Sequence, residues 1–174
     1  MLKHLYFIVI IITMSIATKG IVLQKGVKYD NNGKIIDCLF CNITCRKEPA
    51  NIVYENDEFT VFKTIAPASI YGHLLVTPKS HIKNVESLVS IEDANLIERM
   101  VAIGKSTYQN LGIDDIQYSF HIPPYNSIDH LHLHCIAKPK EMTFFSMMKY
   151  YQGSFWCKSA EEVITNLKSS NSKL

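Results

Sequence analysis

Five short runs of β-branched and aromatic residues predict strands along the chain. The first two flank four polar residues and form a predicted hairpin, and the third is closed by Pro78. A long helical pattern separates the third run from the last two. The runs cover residues 52–54, 59–62, 71–77, 117–121 and 129–137.

Two helices are predicted from apolar residues at helical spacing. The longer begins at Ser90, which forms a capping box with Asp93, and continues to Gly112. A C-terminal helix is predicted over residues 159–169. Together with the strands, this order favours an α+β fold with a mostly antiparallel sheet of about five strands.

The first residues have the layout of a secretory signal peptide. An uninterrupted apolar run at residues 5–12 follows Lys3, and Ser15 and Ala17 supply the small residues of a cleavage site. The apolar stretch is shorter than the ~20 residues that cross a bilayer, which favours a cleaved signal over a short hydrophobic anchor in residues 1–17.

The next segment, residues 18–37, has no strong period and includes a turn-rich stretch at residues 30–33. We interpret it as a linker or extension. The folded domain is then expected over residues 38–170.

Composition limits the classes of partner. A chain of 174 residues with 47% apolar and 20% charged residues suits one globular domain. Its net charge of +2 comes with no basic run, so we expect no nucleic-acid partner and only a small nucleotide.

The evidence on compartment is divided. The N-terminal segment predicts the secretory route or, if uncleaved, membrane association, and Asn42-Ile43-Thr44 is a glycosylation sequon. The five cysteines are an odd number, and a thiolate metal site near Asn42 would favour a reducing compartment such as the cytoplasm or nucleus.

The segment with the most distinctive chemistry reads His-Leu-His-Leu-His. His130, His132 and His134 are two residues apart, so on a strand they share one face, while Leu131 and Leu133 enter the core on the other. Three imidazoles in register indicate a chemical site rather than a solvated edge.

With this motif, the pair Cys38 and Cys41 and the segments 62–67 and 73–81 resemble the Hint branch of the histidine triad superfamily. The resemblance implies a five-stranded antiparallel sheet with two helices. It also implies a homodimer or larger homo-oligomer, with the sheet continued across the dimer interface. The implied activity is hydrolysis of adenosine 5′-monophosphoramidates to AMP and an amine.

The resemblance also implies roles for individual residues. His132 would attack the α-phosphorus to give a nucleotidyl-histidine, with His73 near it, and His134 and Ser127 would contact the phosphate and leaving group. A neutral imidazole is a good nucleophile near pH 7, and a covalent intermediate divides a difficult hydrolysis into two steps. The implied nucleotide-binding residues are Thr64, Ile65, His121, Tyr125, Ser127, His132 and His134, with Thr64 standing where the family has an aspartate.

A structural zinc ion is the cofactor that the resemblance implies, held by Cys38, Cys41, His81 and His130, with no organic cofactor. The CxxC pair alone is also compatible with redox chemistry or a disulfide. Two other functions stay open, namely hydrolysis of dinucleoside polyphosphates and nucleotide binding with little catalysis.

Overall fold

The computed structural model describes residues 21–171, so the candidate signal segment lies outside the described residues. No helix within residues 21–171 is long and apolar enough to cross a membrane. The strands are β1 Val22–Gln24, β2 Val27–Tyr29, β3 Ile35–Cys38, β4 Ile52–Glu55, β5 Phe59–Lys63, β6 His73–Pro78, β7 Ile116–His121, β8 Leu133–Ala137 and β9 Cys157–Ser159. The helices are α1 Leu39–Thr44, α2 Ile91–Gln109, α3 Phe144–Lys149 and α4 Ala160–Asn171.

The main sheet is antiparallel throughout and has the strand order β4-β5-β6-β8-β7-β9. The α+β class with one long and one C-terminal helix is confirmed. The expected count of five strands is one too low, because the backbone from Cys157 to Ser159 pairs with β7 before α4 begins. This pairing is long-range and leaves only a three-residue pattern in the sequence.

One face of the sheet is covered by α2 and α4, which form the main core with it. The predicted capping box of α2 is present between Ser90 and Asp93. In α2, Gly104 lies so close to β8 that an added Cβ would be 2.6 Å from Cys135 Sγ. The Tyr108 hydroxyl also donates to the Cys135 carbonyl (3.1 Å). Helix α2 therefore packs closely against β8.

The segment predicted to be a linker is instead a three-stranded antiparallel sheet, β1-β2-β3. Val27 is fully buried and belongs to a second hydrophobic cluster with Phe40, Phe62 and Leu75 of the main domain. The sequence pattern missed this small sheet because only two of its ten strand residues, Val27 and Cys38, are buried. Contacts distant in sequence stabilise it.

The boundaries of two predicted strands are corrected. Strand β6 begins at His73 rather than Tyr71, since Gly72 has φ +141° and its missing Cβ leaves room for the Tyr108 hydroxyl. Strand β8 begins at Leu133, so His130 and His132 lie in the segment before it. It pairs on both sides, with β6 and β7, and is a central strand rather than an edge.

Candidate active site and metal cluster

The segment before β8 is held in place by bonds to the end of β6 and the loop after it. Leu131 donates its N–H to the Ile82 carbonyl (2.7 Å), and its own carbonyl accepts from the Thr77 hydroxyl (2.8 Å). The Leu131 side chain enters the main core. The flanking histidines therefore reach the opposite side, as predicted, although only His134 lies within the strand.

His132 is oriented by its own backbone. Its Nδ1 lies 2.7 Å from the His130 carbonyl oxygen, so Nδ1–H donates there and the lone pair of a neutral ring is on Nε2. The edge-to-face contact with Phe40 (5.2 Å between centroids) restrains the ring. Burial lowers the pKa of His132, which keeps the ring neutral at pH 7. A neutral, oriented imidazole has the properties of a nucleophile.

A hydrogen-bonded relay of three more histidines lies beside His132. His73 Nε2 is 2.9 Å from His134 Nδ1, and His134 Nε2 is 3.2 Å from His121 Nδ1. At one end the Ala68 N–H donates to His73 Nδ1 (3.1 Å). At the other end His121 Nε2 is 3.2 Å from the Lys149 carbonyl oxygen.

The two backbone groups determine the direction of this histidine relay. Because a backbone N–H can only donate, His73 Nδ1 accepts, and His73 Nε2–H therefore donates to His134 Nδ1. His134 Nε2–H in turn donates to His121 Nδ1, and His121 Nε2–H donates to the Lys149 carbonyl. An extra proton at any ring would put two N–H groups face to face. Both ring nitrogens of His134 are thus bonded within the protein.

The electrostatics agree with a neutral relay. Burial lowers the pKa of His73 to about 3 and that of His121 to about 4, and it lowers the pKa of His134 well below its ordinary value. Tyr150 packs against all three rings at 4.9 to 5.2 Å between centroids. The relay is therefore a buried, uncharged unit.

The predicted nucleotide-binding residues fall into two groups. His121 is buried in the relay, whereas Ile65, Tyr125 and Ser127 are exposed on loops. Thr64 is half-buried and its N–H donates to the His73 carbonyl (3.2 Å). His73, expected near the nucleophile, bonds to His134, whose ring lies 5.0 Å from that of His132.

Little enclosed space borders His132. The cleft that it lines with His121 and Asn126 measures about 10 Å³, room for about one water-sized sphere. A groove of about 610 Å³ lies elsewhere, between α2, α4 and β7, and no histidine within residues 21–171 lines it. The histidine cluster therefore borders the small cleft and not the larger groove.

A second cluster combines the four residues predicted as metal ligands. Ligand atoms of Cys38, Cys41, His81 and His130 all lie within 4.8 Å of one another. His130 Nδ1 is 3.4 Å from Cys38 Sγ and 3.5 Å from Cys41 Sγ, and His81 Nδ1 is 3.5 Å from Cys41 Sγ. In a tetrahedral site with sulfur at about 2.3 Å and nitrogen at about 2.05 Å from the ion, these atoms would be about 3.6 Å apart. The cluster therefore fits a four-coordinate metal ion.

The groups around this cluster support the same interpretation. His130 Nε2 is 2.9 Å from the Pro78 carbonyl oxygen, so Nε2–H donates there and Nδ1 faces the thiols with its lone pair. Burial, with the neighbouring Cys38, raises the pKa of the Cys41 thiol to about 12. A Cys41 thiolate at this place is stable only beside a cation, whose charge would reverse that shift. All five cysteines are free thiols, which excludes a Cys38–Cys41 disulfide in this structure.

Sequence reasoning missed the residues that complete the site. The Lys149 carbonyl and the Tyr150 ring come from the end of α3, and no local motif identifies either of them. Asn126, which lines the cleft, stands next to the predicted Ser127 and has an amide side chain suited to organising a loop.

Comparison with known proteins gives consistent results. Residues 37–150 match the family model described as "Scavenger mRNA decapping enzyme C-term binding". The adenosine 5′-monophosphoramidase HINT3 of Xenopus tropicalis is 35% identical in an alignment of 158 residues that covers 88% of this chain and 99% of that protein. HINT3 of Mus musculus is 37% identical in an alignment of 145 residues that covers 80% of this chain and 84% of that protein. A HIT family hydrolase from Clostridium thermocellum superposes with a TM-score of 0.54 at 27% identity, covering 60% of this chain and 92% of the other.

Proposed function

The chain belongs to the histidine triad family, and from this premise we propose that it hydrolyses the phosphorus–nitrogen bond of adenosine 5′-monophosphoramidates. The substrate is a purine nucleotide conjugated to an amine, and the products are AMP and the free amine. Two relatives that match most of the chain carry the name of this activity.

The observation that carries the proposal is the orientation of His132. Its Nδ1–H is occupied by the His130 carbonyl at 2.7 Å, which leaves the Nε2 lone pair for attack on phosphorus. Because this acceptor is a backbone carbonyl next to the core residue Leu131, the ring needs no reorientation before reaction.

In the first step the His132 Nε2–P bond forms and the P–N bond breaks, while the amine nitrogen takes up one proton from the solvent, to which the second step returns one. In the second step water attacks the nucleotidyl-histidine, the Nε2–P bond breaks, and the water gives up a proton as AMP forms. The net reaction consumes one water, and His132 returns to its neutral form. Ser127, exposed on the loop that leads to the histidines, donates to the leaving nitrogen, where charge develops.

In this scheme His134 contacts the phosphate as well as belonging to the histidine relay. Its Nε2–H donates to His121 in the described structure, so a contact with the phosphate requires this bond to be exchanged for one to a phosphate oxygen. His121 then competes with the nucleotide for the same proton, which makes His121 a determinant of affinity as well as of orientation.

The test is turnover by the full-length chain. Wild-type protein should release amine from an adenosine phosphoramidate, and His132→Ala should abolish the release while keeping the melting temperature. Because His132→Gly leaves a space where the imidazole ring was, added free imidazole should restore part of the activity of this variant. Equal rates in wild type and His132→Ala would reject the mechanism, and faster cleavage of diadenosine polyphosphates would reassign the substrate.

We also propose that the four-residue metal cluster binds zinc in a structural role. With two thiolates and two imidazoles, every position of a tetrahedral ion would be filled by protein, leaving none for an activated water. The ion would join α1, through Cys41, to the histidine segment, through His130, and so brace the backbone that carries His132.

Assembly and location complete the proposal. We propose a homodimer in which the main sheet continues past one of its edge strands, β4 or β9. A mass of one chain measured by light scattering would reject the homodimer. We further propose that residues 1–17 are a cleaved signal that directs the chain to the secretory route. Intact mass of the natural protein tests this, since an uncleaved N-terminus would contradict it.

A further inference from the structure

The turn between β1 and β2 has an unusual backbone. It consists of Lys25 and Gly26 alone, since Gln24 pairs with Val27, and both residues have positive φ, +45° and +68°. Two-residue turns of this kind favour asparagine and glycine, and a lysine with positive φ is strained. Such strain persists where the surrounding contacts hold the residue, and it is a reason to ask what the residue does.

The Lys25 side chain contacts the loop before the histidine triad, residues 123–129. Its Nζ donates to the Pro124 carbonyl (2.8 Å) and to the Asn126 side-chain oxygen. The Lys25 carbonyl accepts from the Asp129 N–H (2.9 Å). One residue of the small N-terminal sheet therefore binds this loop at three points.

Within the loop, Asn126 connects Lys25 to the residues that follow it. Its amide nitrogen donates to Asp129 Oδ1 (2.7 Å) and to the Ile128 carbonyl (3.1 Å), and both Asn126 and Asp129 are buried. Residues 126–129 are thereby held in one conformation. The exposed Ser127 lies inside this held stretch, and His130 follows it directly.

Gly26 adds a close packing contact on the same side. An added Cβ there would be 2.6 Å from Ile128 Cδ1, and the Gly26 carbonyl accepts from the Leu39 N–H (3.0 Å) at the start of α1. The turn thus lies between the loop that carries Ser127 and the helix that carries Cys41.

We propose that Lys25 is a positioning residue for phosphoramidate hydrolysis, acting through Asn126 to hold Ser127 where the leaving amine departs. The inference rests on the proposed function. It makes the N-terminal sheet part of the active site. Lys25 does not touch the substrate; it restrains the loop that does.

The experiment compares Lys25→Met and Lys25→Arg in the full-length chain. Lys28→Met is the matched control, since Lys28 lies on the same sheet, is exposed, and has a side chain that bonds only to Asp37 among the residues described. Lys25→Met should lower kcat roughly tenfold with little change in KM, because it removes charged hydrogen bonds to the loop and leaves the nucleoside side intact. Lys25→Arg, which keeps the charge and donors, should retain most of the activity.

Leaving-group dependence separates positioning from loss of structure. If Ser127 is misplaced, Lys25→Met should lose more activity on a phosphoramidate of an alkylamine, a poor leaving group, than on one of an arylamine. Asn126→Ala should show the same pattern, and adding Lys25→Met to it should cost little more. An equal loss on both substrates, or rates equal to those of Lys28→Met, would overturn the proposal.

Hydrogen exchange gives a readout that does not depend on the reaction. Amides of residues 125–129 should exchange faster in Lys25→Met and unchanged in Lys28→Met. If wild-type protein hydrolyses no phosphoramidate, the proposed function fails, while this exchange difference still decides whether Lys25 holds the loop. Exchange equal to wild type would overturn the inference even if activity fell.

Discussion

Lowering the pH from 7 to 5 should destabilise this protein through its histidine relay. His73, His121 and His134 are buried and neutral in the folded protein, whereas in the unfolded chain their pKa values are near 6.5. Below pH 6.5 the unfolded chain binds more protons than the folded one, so the free energy of unfolding decreases as the pH is lowered. The fall continues to the folded pKa, about 3 for His73 and about 4 for His121.

The magnitude follows from these values. Between pH 7 and pH 5, each histidine that stays neutral when folded should cost about 2 kcal/mol of unfolding free energy, so His73 and His121 together cost about 4 kcal/mol. His134 shifts in the same direction and adds to this. The charged group near the relay, Lys149, lowers the pKa of all three, and His132 also does so.

Urea unfolding at pH 7, 6 and 5 measures this effect, with His121→Asn as the comparison. The asparagine oxygen takes the place of Nδ1 as acceptor for His134 but does not titrate. Between pH 7 and 5 the variant should therefore lose about 2 kcal/mol less stability than wild type. Both proteins keep the metal cluster, so acid release of a metal ion cancels in the difference. Equal losses would refute the neutral relay.

Two further predictions concern the metal cluster and the support of β8. Cys41→Ser should lose bound zinc and melt at lower temperature, while Cys45→Ser, which changes an exposed thiol outside the cluster, should keep its zinc by elemental analysis; equal zinc contents would contradict the ligand assignment. Gly104→Ala should lower the unfolding free energy by about 1 kcal/mol, because crowding against Cys135 Sγ outweighs the gain in helix propensity. Adding Cys135→Ala should offset that crowding, and a loss that stays the same would show that the contact is not the cause.

The sequence predicted the features that depend on local periodicity. The stripe and capping box of α2 gave its ends to within a few residues, and the alternation of leucine and histidine placed Leu131 and Leu133 in the core. Such patterns are readable because a helix or strand repeats its environment along the chain.

The relay could not be predicted in the same way. His73 and His134 are 61 residues apart, and His121 is joined to His134 and to a carbonyl 28 residues away. Which nitrogen meets which depends on the strand register of β6, β7 and β8, and no sequence pattern contains it.

Short elements were the other limit. Helix α3 has no buried residue, although it contains Phe144 and Phe145. Its apolar side chains would therefore suggest a core position that the helix does not have. The contacts of Lys25 with Pro124 and Asn126 span 99 and 101 residues. A segment that reads as a linker can therefore contact the loop that precedes the histidine triad.

The central claim is that His132 becomes covalently bonded to the nucleotide. Wild-type protein mixed with an adenosine phosphoramidate and quenched with denaturant within milliseconds should gain the mass of one adenylyl group, located by fragmentation on His132. The label should disappear as AMP is released, and His132→Ala should never acquire it. Turnover without any adenylylated protein, or a label on another residue, would contradict this account.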